Sequence, residues 1–209
     1  FCSGVWDFSQ SRCEPEEMSG DSSIPISFAL KPYVLNEGGT IVFAAPGRGK
    51  SYTLLLWLVS IDAGISKYWQ VEKSKVLLIN LERSRQSLQR RLAKVNLALG
   101  LSENRPLATL NARGKPLSQV KAACHRFGAS HNVKLIGLDS ISRAGYGDLN
   151  DNQPMNAIIA ALSSLCPTWI ALAHTSRASD EHSFGSIMAD AGADVCVRLP
   201  SEMNGDKNT

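Results

Sequence analysis

The chain has 209 residues, a net charge of +3 and a hydrophobic content of 44%, which are ordinary values for a folded protein with one main core. No apolar run approaches the ~18 residues of a membrane-spanning helix, so no membrane partner is expected, and the small charge does not by itself indicate nucleic-acid binding. The five cysteines are scattered and never form a CxxC pair. This pattern supports neither a disulfide framework nor a zinc site, and it favours a reducing, cytoplasmic location.

The order of predicted elements indicates one α/β domain. Residues 1–24 show no apolar periodicity and are predicted to be a lead-in or linker, residues 25–200 alternate strands with helices, and residues 201–209 are a polar tail. The predicted strands are Thr40–Ala45, Lys75–Asn80, Leu107–Leu110, Lys134–Asp139, Trp169–His174 and Asp194–Leu199. The predicted helices are Ser51–Ala63, Arg83–Leu99, Ser118–Phe127 and Met155–Leu165. This alternation implies a mostly parallel sheet with helices on both faces. Because the chain begins at Phe1 rather than Met, we interpret it as a fragment of a longer protein.

The stretch FAAPGRGKSYT lies between a predicted strand and a predicted helix, which is the setting of a phosphate-binding loop. Glycines allow the backbone amides to turn inward, and the helix start adds partial positive charge. Lys50 is placed to reach the β and γ phosphates of ATP, and the Ser51 hydroxyl to bind Mg²⁺. The nucleotide-binding residues are predicted to be Ala45, Pro46, Gly47, Arg48, Gly49, Lys50, Ser51 and Tyr52. Ala44 replaces the first glycine of the GxxxxGK[ST] pattern, and the alternative is a strand–turn–helix corner of another α/β protein.

Two carboxylates follow predicted strands and complete a candidate hydrolytic site. Asp139 ends the strand LIGLD, where it can hold the water shell of Mg²⁺ if that strand lies beside the loop strand. Glu82 follows the strand LLIN, at the sheet edge where ligands collect, and can accept a proton from water. The alternatives are that Asp139 is a turn residue and that Glu82 caps the helix beginning near Arg83.

The chain resembles the RecA-like P-loop ATPases, in particular the AAA-type branch that contains the RepA-like hexameric replicative helicases. The resemblance is carried by NEGGTIVFAAPGRGKS, INLERSRQSLQRRL, LIGLDSISRAGYGD, ALAHTSR and GSIMADAGADVCVRL. It implies a RecA-like P-loop NTPase core that uses ATP and Mg²⁺. It also implies that Glu82 is the catalytic carboxylate and that His174 senses the γ phosphate.

The resemblance further implies contacts with partners. Ring-forming relatives touch single-stranded DNA through loops that correspond here to Ser142–Asn152 and Thr175–Ser183, with Arg143, Tyr146 and Arg177 as candidate contacts. Arg198 corresponds to a region where a basic residue reaches the neighbouring subunit's γ phosphate. A homo-oligomer, either a hexameric ring or a filament, is therefore expected. The basic run on Arg83–Leu99 is interpreted as a solvated helix surface.

Three functions remain open from the sequence. The first is an ATP-hydrolysing motor on DNA, a helicase or replication domain of the RepA-like type, in which Lys50 neutralises charge during hydrolysis. The second is a recombinase-like or clock-like ATPase of the same fold. The third is a nucleotide-dependent assembly or recruitment module with little hydrolysis.

Overall fold

Strands and helices alternate along the chain in the computed structural model, which describes residues 17–145, 147, 152–175 and 191–200. The strands are β1 (Phe28–Lys31), β2 (Val34–Leu35), β3 (Gly39–Ala44), β4 (Gln70–Val71), β5 (Val76–Asn80), β6 (Thr109–Asn111), β7 (Leu135–Asp139), β8 (Thr168–His174) and β9 (Val195–Arg198). The helices are α1 (Lys50–Ala63), α2 (Arg85–Ala98), α3 (Leu117–His131) and α4 (Asn152–Leu165), with a 3-10 helix at Ile141–Arg143. Residues 17–24, part of the predicted lead-in, are exposed and belong to no helix or strand, and the predicted tail at 201–209 lies outside the described residues.

Six strands form one parallel sheet in the order β6-β5-β7-β8-β3-β9. The strand β3 pairs with β8 from Gly39↔Trp169 to Ala44↔His174, so these two strands end level with each other. Parallel strands present their carboxyl ends at one edge, and that edge is where ligands bind in open α/β sheets. The predicted α/β class with a mostly parallel sheet is confirmed.

Both faces of this sheet are buried by helices. Along β3, Ile41 and Phe43 pack in a cluster with residues of α3 and α4, whereas Val42 packs in a second cluster with residues of α1 and α2. Alternation of side chains across a strand produces this division, because successive residues point to opposite faces. A strand buried on both faces is apolar at nearly every position, which is why its sequence reads as a nearly continuous hydrophobic run.

A small antiparallel sheet, in the order β2-β1-β4, was not predicted from the sequence. Its strands have two to four residues, which is too short for a period of two to be recognised. Leu30 and Val34 anchor it in the cluster that α1 also joins, and Tyr33 stacks on Trp57 with 5.3 Å between ring centroids. The predicted strand Leu107–Leu110 starts two residues and ends one residue before β6, which spans Thr109–Asn111. Among the helices of the described residues, none has the length and apolarity to cross a membrane.

Candidate nucleotide site

The turn between β3 and α1 has the backbone of a loop that can surround an anion. Gly47 and Gly49 have φ of 81° and 84°, in the left-handed region that favours glycine. Gly49 is also the N-cap of α1, and within the described chain no side chain caps that helix start and no acidic residue occupies its first turn. The first amide groups of α1 and its partial positive charge are therefore open to a bound anion.

Lys50 is buried at the base of this loop. Its Nζ donates hydrogen bonds to the carbonyl oxygens of Ala44, at 2.6 Å, and Ala45, at 3.0 Å. Both carbonyls also accept backbone N–H groups, from Thr175 at 3.2 Å and from Arg48 at 3.4 Å. Burial lowers the pKa of Lys50, partly opposed by the charges of nearby carboxylates. The ammonium is thus a desolvated cation. If it moves away to bind another group, both carbonyl oxygens keep a backbone N–H partner.

Ser51 and Asp139 form a pair of oxygen ligands beside the loop. The Ser51 hydroxyl donates a hydrogen bond to the Asp139 carboxylate, which is only 5% exposed. Burial raises the pKa of Asp139, and the bond from Ser51 acts in the opposite direction. Hydroxyl and carboxylate oxygens suit Mg²⁺, which usually keeps several waters and takes the rest of its ligands from phosphates. The described residues contain no group of three or more His, Cys, Asp or Glu that could hold a metal alone, so this donor set fits a metal that arrives with a nucleotide.

Glu82 lies two residues beyond the end of β5 and faces the end of β7. Its Oε2 accepts a hydrogen bond from Ser140 Oγ at 2.8 Å, and its Oε1 lies 3.4 Å from Arg83 Nη2. The alternative that Glu82 caps the following helix is wrong, because Ser84 is the N-cap of α2 and accepts from the Ser87 amide at 3.2 Å. The carboxylate is therefore directed at the sheet edge rather than at a helix start.

His174, the last residue of β8, contacts the loop lysine. Its Nδ1 lies 3.3 Å from Lys50 Nζ. Since an ammonium only donates, this contact requires neutral histidine with an unprotonated Nδ1. Burial first, and the Lys50 charge second, lower the pKa of His174. The side chain thus joins the end of β8 to the group predicted to bind the γ phosphate.

Two arginines that were predicted to belong to a solvated helix surface, Arg83 and Arg91, lie at the site instead. Arg83 pairs with Glu82, and its Nε is buried with no hydrogen-bond partner among the described residues. The Arg91 guanidinium carbon lies 4.7 Å from the centroid of the Tyr52 ring, and its charge partly opposes the burial that raises the pKa of Asp139. The strand-end argument that placed Glu82 also applies to its neighbour Arg83; nothing in the sequence indicated the contact of Arg91.

The candidate partner-binding residues lie around the site, as far as they are described. Arg143 is exposed on the 3-10 helix that follows β7, and its charge contributes to the lowered pKa of His174. Arg198 pairs in register with Phe43 and lines a small crevice with loop residues of its own chain. In the part of the chain that the structure describes, it forms no ion pair with a carboxylate. Tyr146 and Arg177 lie outside the described residues.

A family model described as an AAA domain matches residues 20–180, more than half of the chain, and this span includes the phosphate loop, Glu82, Asp139 and His174. No curated protein matches the chain.

Proposed function

Because the chain belongs to the AAA-domain family of P-loop ATPases, we propose that it hydrolyses ATP with Mg²⁺ and uses the energy as a motor on single-stranded DNA, in the manner of the RepA-like helicases. The observation that carries the ATPase part is a convergence. Lys50, Asp139 and His174 come from the carboxyl edge of three adjacent parallel strands and contact one loop or its helix start. Glu82 joins them through Ser140.

Binding begins with the triphosphate at the open start of α1. The Lys50 ammonium exchanges its hydrogen bonds to the carbonyl oxygens of Ala44 and Ala45 for bonds to phosphate oxygens. The exchange is favourable because the ammonium is desolvated and a bond to a charged oxygen is stronger than a bond to a neutral carbonyl. Ser51 and Asp139 would hold Mg²⁺ through oxygen ligands or its water shell. The metal, when bound, neutralises charge on the β and γ phosphates.

Hydrolysis requires a water in line with the γ phosphate. Glu82 accepts a proton from this water as its oxygen bonds to Pγ, while the bond from Pγ to the β-phosphate oxygen breaks and ADP leaves. Ser140 and Arg83 hold the two carboxylate oxygens of Glu82 before the reaction. His174 senses whether the γ phosphate is present through its contact with Lys50.

The catalytic part is tested with Glu82→Gln, which keeps the side-chain volume but removes the base. We expect ATP affinity to be unchanged and turnover to fall at least ~100-fold, the contribution typical of general base catalysis. Glu103→Gln changes an exposed carboxylate elsewhere and is the matched control, with turnover expected to stay at the wild-type value. Near-normal turnover in Glu82→Gln would remove Glu82 from the mechanism.

The motor part is supported by the position of Arg143, which is exposed at the end of the short 3-10 helix that follows β7 and Asp139. A DNA phosphate bound there would lie close to the nucleotide site, and Tyr146 and Arg177 are proposed to extend the same contact. Arg198 is proposed to reach the γ phosphate of a neighbouring subunit in a homo-oligomeric ring or filament.

Steady-state ATPase rates with and without single-stranded DNA, read beside the oligomer size with nucleotide present, test this part. We expect DNA to stimulate the rate, less so at high salt, and Arg143→Ala to weaken the stimulation. Arg126→Ala removes an exposed arginine from α3 and should not weaken it. If DNA does not change the ATPase rate at any salt concentration, the result would support the assembly or recruitment module. If DNA stimulates the rate but the protein forms filaments instead of rings, the result would support the recombinase-like ATPase.

A further inference from the structure

Asn80, at the end of β5, is a fully buried polar residue whose side chain is bonded in three directions. Its Oδ1 accepts the Arg83 amide N–H at 2.8 Å, and its Nδ2 donates to the Arg83 carbonyl oxygen at 2.8 Å. The same Nδ2 donates to Asn111 Oδ1, on β6, at 2.7 Å. One side chain therefore holds both backbone polar groups of Arg83.

These bonds fix the short segment that carries Glu82. On the near side of Glu82, the amide of Leu81 donates to the Asp139 carbonyl at 2.8 Å, and the Leu81 side chain is buried. On the far side, Arg83 is held by Asn80. Glu82 is thus the single residue between two anchored neighbours, so its backbone position is determined from both sides.

The Arg83 backbone sets the orientation of the Asn80 amide, and Asn111 accepts the N–H that remains. An asparagine side chain can present either its oxygen or its nitrogen in a given direction. The Arg83 N–H can only donate and therefore requires the Asn80 oxygen. The Asn80 nitrogen then donates one N–H to the Arg83 carbonyl oxygen and the other to Asn111 Oδ1, on β6, at 2.7 Å. Asn111 itself is exposed on an edge strand, so its side chain can be removed without opening the core.

We propose that Asn80 is the positioning residue for the proposed base: with Asn111, it holds the Leu81–Arg83 segment so that the Glu82 carboxylate stays in line for the attacking water. The inference rests on the proposed ATPase function. It assigns Asn80 no contact with nucleotide, and loss of its side chain should therefore change turnover rather than ATP affinity.

The experiment compares Asn80→Ala and Asn111→Ala with Asn96→Ala. Asn96 is an equally buried asparagine whose Nδ2 donates to the carbonyl oxygens of Glu103 and Arg105, at 3.1 and 2.9 Å, near the far end of α2. We expect kcat to fall about 100-fold in Asn80→Ala and about 10-fold in Asn111→Ala, since misplacing a catalytic group by ~1 Å costs about 100-fold. The dissociation constant for ATP should stay at its wild-type value in both, and Asn96→Ala should lower thermal stability but not kcat.

A double variant separates positioning from general damage. When Glu82→Gln is present, Asn80→Ala should slow turnover no further, because the group that it positions is already disabled. An equal slowing in both backgrounds, or a normal kcat in Asn80→Ala, would overturn the positioning role while leaving Glu82 as the base. If Asn80→Ala does not fold, Asn111→Ala decides: a normal kcat there overturns the inference. Near-normal turnover in Glu82→Gln alone would overturn both the inference and the proposed function.

Discussion

Lys50→Met is the substitution that we expect to weaken nucleotide binding without lowering the stability of the fold. Methionine keeps the unbranched stem of the side chain and removes the ammonium. In the wild type that ammonium donates to two carbonyls, and both keep a backbone N–H partner when it is gone. Burial lowers the pKa of Lys50, which means that its charged form is less favourable in the folded chain than in the unfolded chain. Removing the charge should therefore maintain or raise the free energy of unfolding without nucleotide.

The loss of ATP affinity follows from the same contacts. The two hydrogen bonds that Nζ now makes to carbonyls are the ones available to phosphate oxygens. Charge-assisted bonds contribute about 1.5 kcal/mol each at the low end, and two of them correspond to a Kd increase of about 100-fold. Fluorescence titration with a labelled, non-hydrolysable ATP analogue measures the affinity, and thermal unfolding without nucleotide measures the stability.

Two results would refute this reasoning. Unchanged analogue affinity in Lys50→Met would mean that the loop does not grip phosphates with this lysine. A clear drop in the unfolding temperature would mean that the ammonium stabilises the empty loop, contrary to its desolvation. Lys94→Met, which removes an exposed lysine from α2, is the matched control and should change neither quantity by a comparable amount.

Two further predictions concern pH and packing. Because His174 has a pKa below its ordinary value of 6.5 in the folded chain, the unfolded chain binds its proton first as pH falls, so stability should decline below that value. His174→Gln should show a smaller decline, measured as the difference in unfolding temperature above and below pH 6.5; an equal decline in both proteins would rule out this histidine as a source. Gly39→Ala would place a Cβ in steric overlap with Cζ2 of the buried Trp169 ring and should cost about 1–3 kcal/mol in chemical denaturation, as overpacking does. Gly128→Ala, on α3 with nothing within 4 Å of the added carbon, should instead be neutral or stabilising, and a loss of stability there would contradict the packing argument.

The parts of the site that could be predicted from the sequence depend on local signals. The glycines before Lys50 lie between an apolar strand and a Leu-rich helix, and each of these features is read within a dozen residues. Asp139 was placed by the rule that ligands collect at the carboxyl ends of parallel strands, and the structure brings it to Ser51.

The parts that could not be predicted depend on distances between residues far apart in the chain. Sequence alone left Glu82 nearly balanced between a helix cap and a site carboxylate, because both occur after a strand; the bond between Ser84 and the Ser87 amide distinguishes them. The proposed role of Asn80 depends on the strand register that sets it opposite Asn111, 31 residues later. The hydrophobic periodicity of a sequence does not show which residues of two strands pair.

The order of the strands has a consequence for how the protein is made. The loop strand β3 lies between β8 and β9, the last two strands of the described chain. On the ribosome, β3 emerges early but cannot acquire a sheet neighbour until Thr168 and the residues after it have been synthesised. The pair β5 and β7 can form before then. In a chain whose synthesis stops before Thr168, β3 would therefore remain an unpaired, apolar segment beside the phosphate loop. Exposed segments of this kind are aggregation-prone and are bound by chaperones.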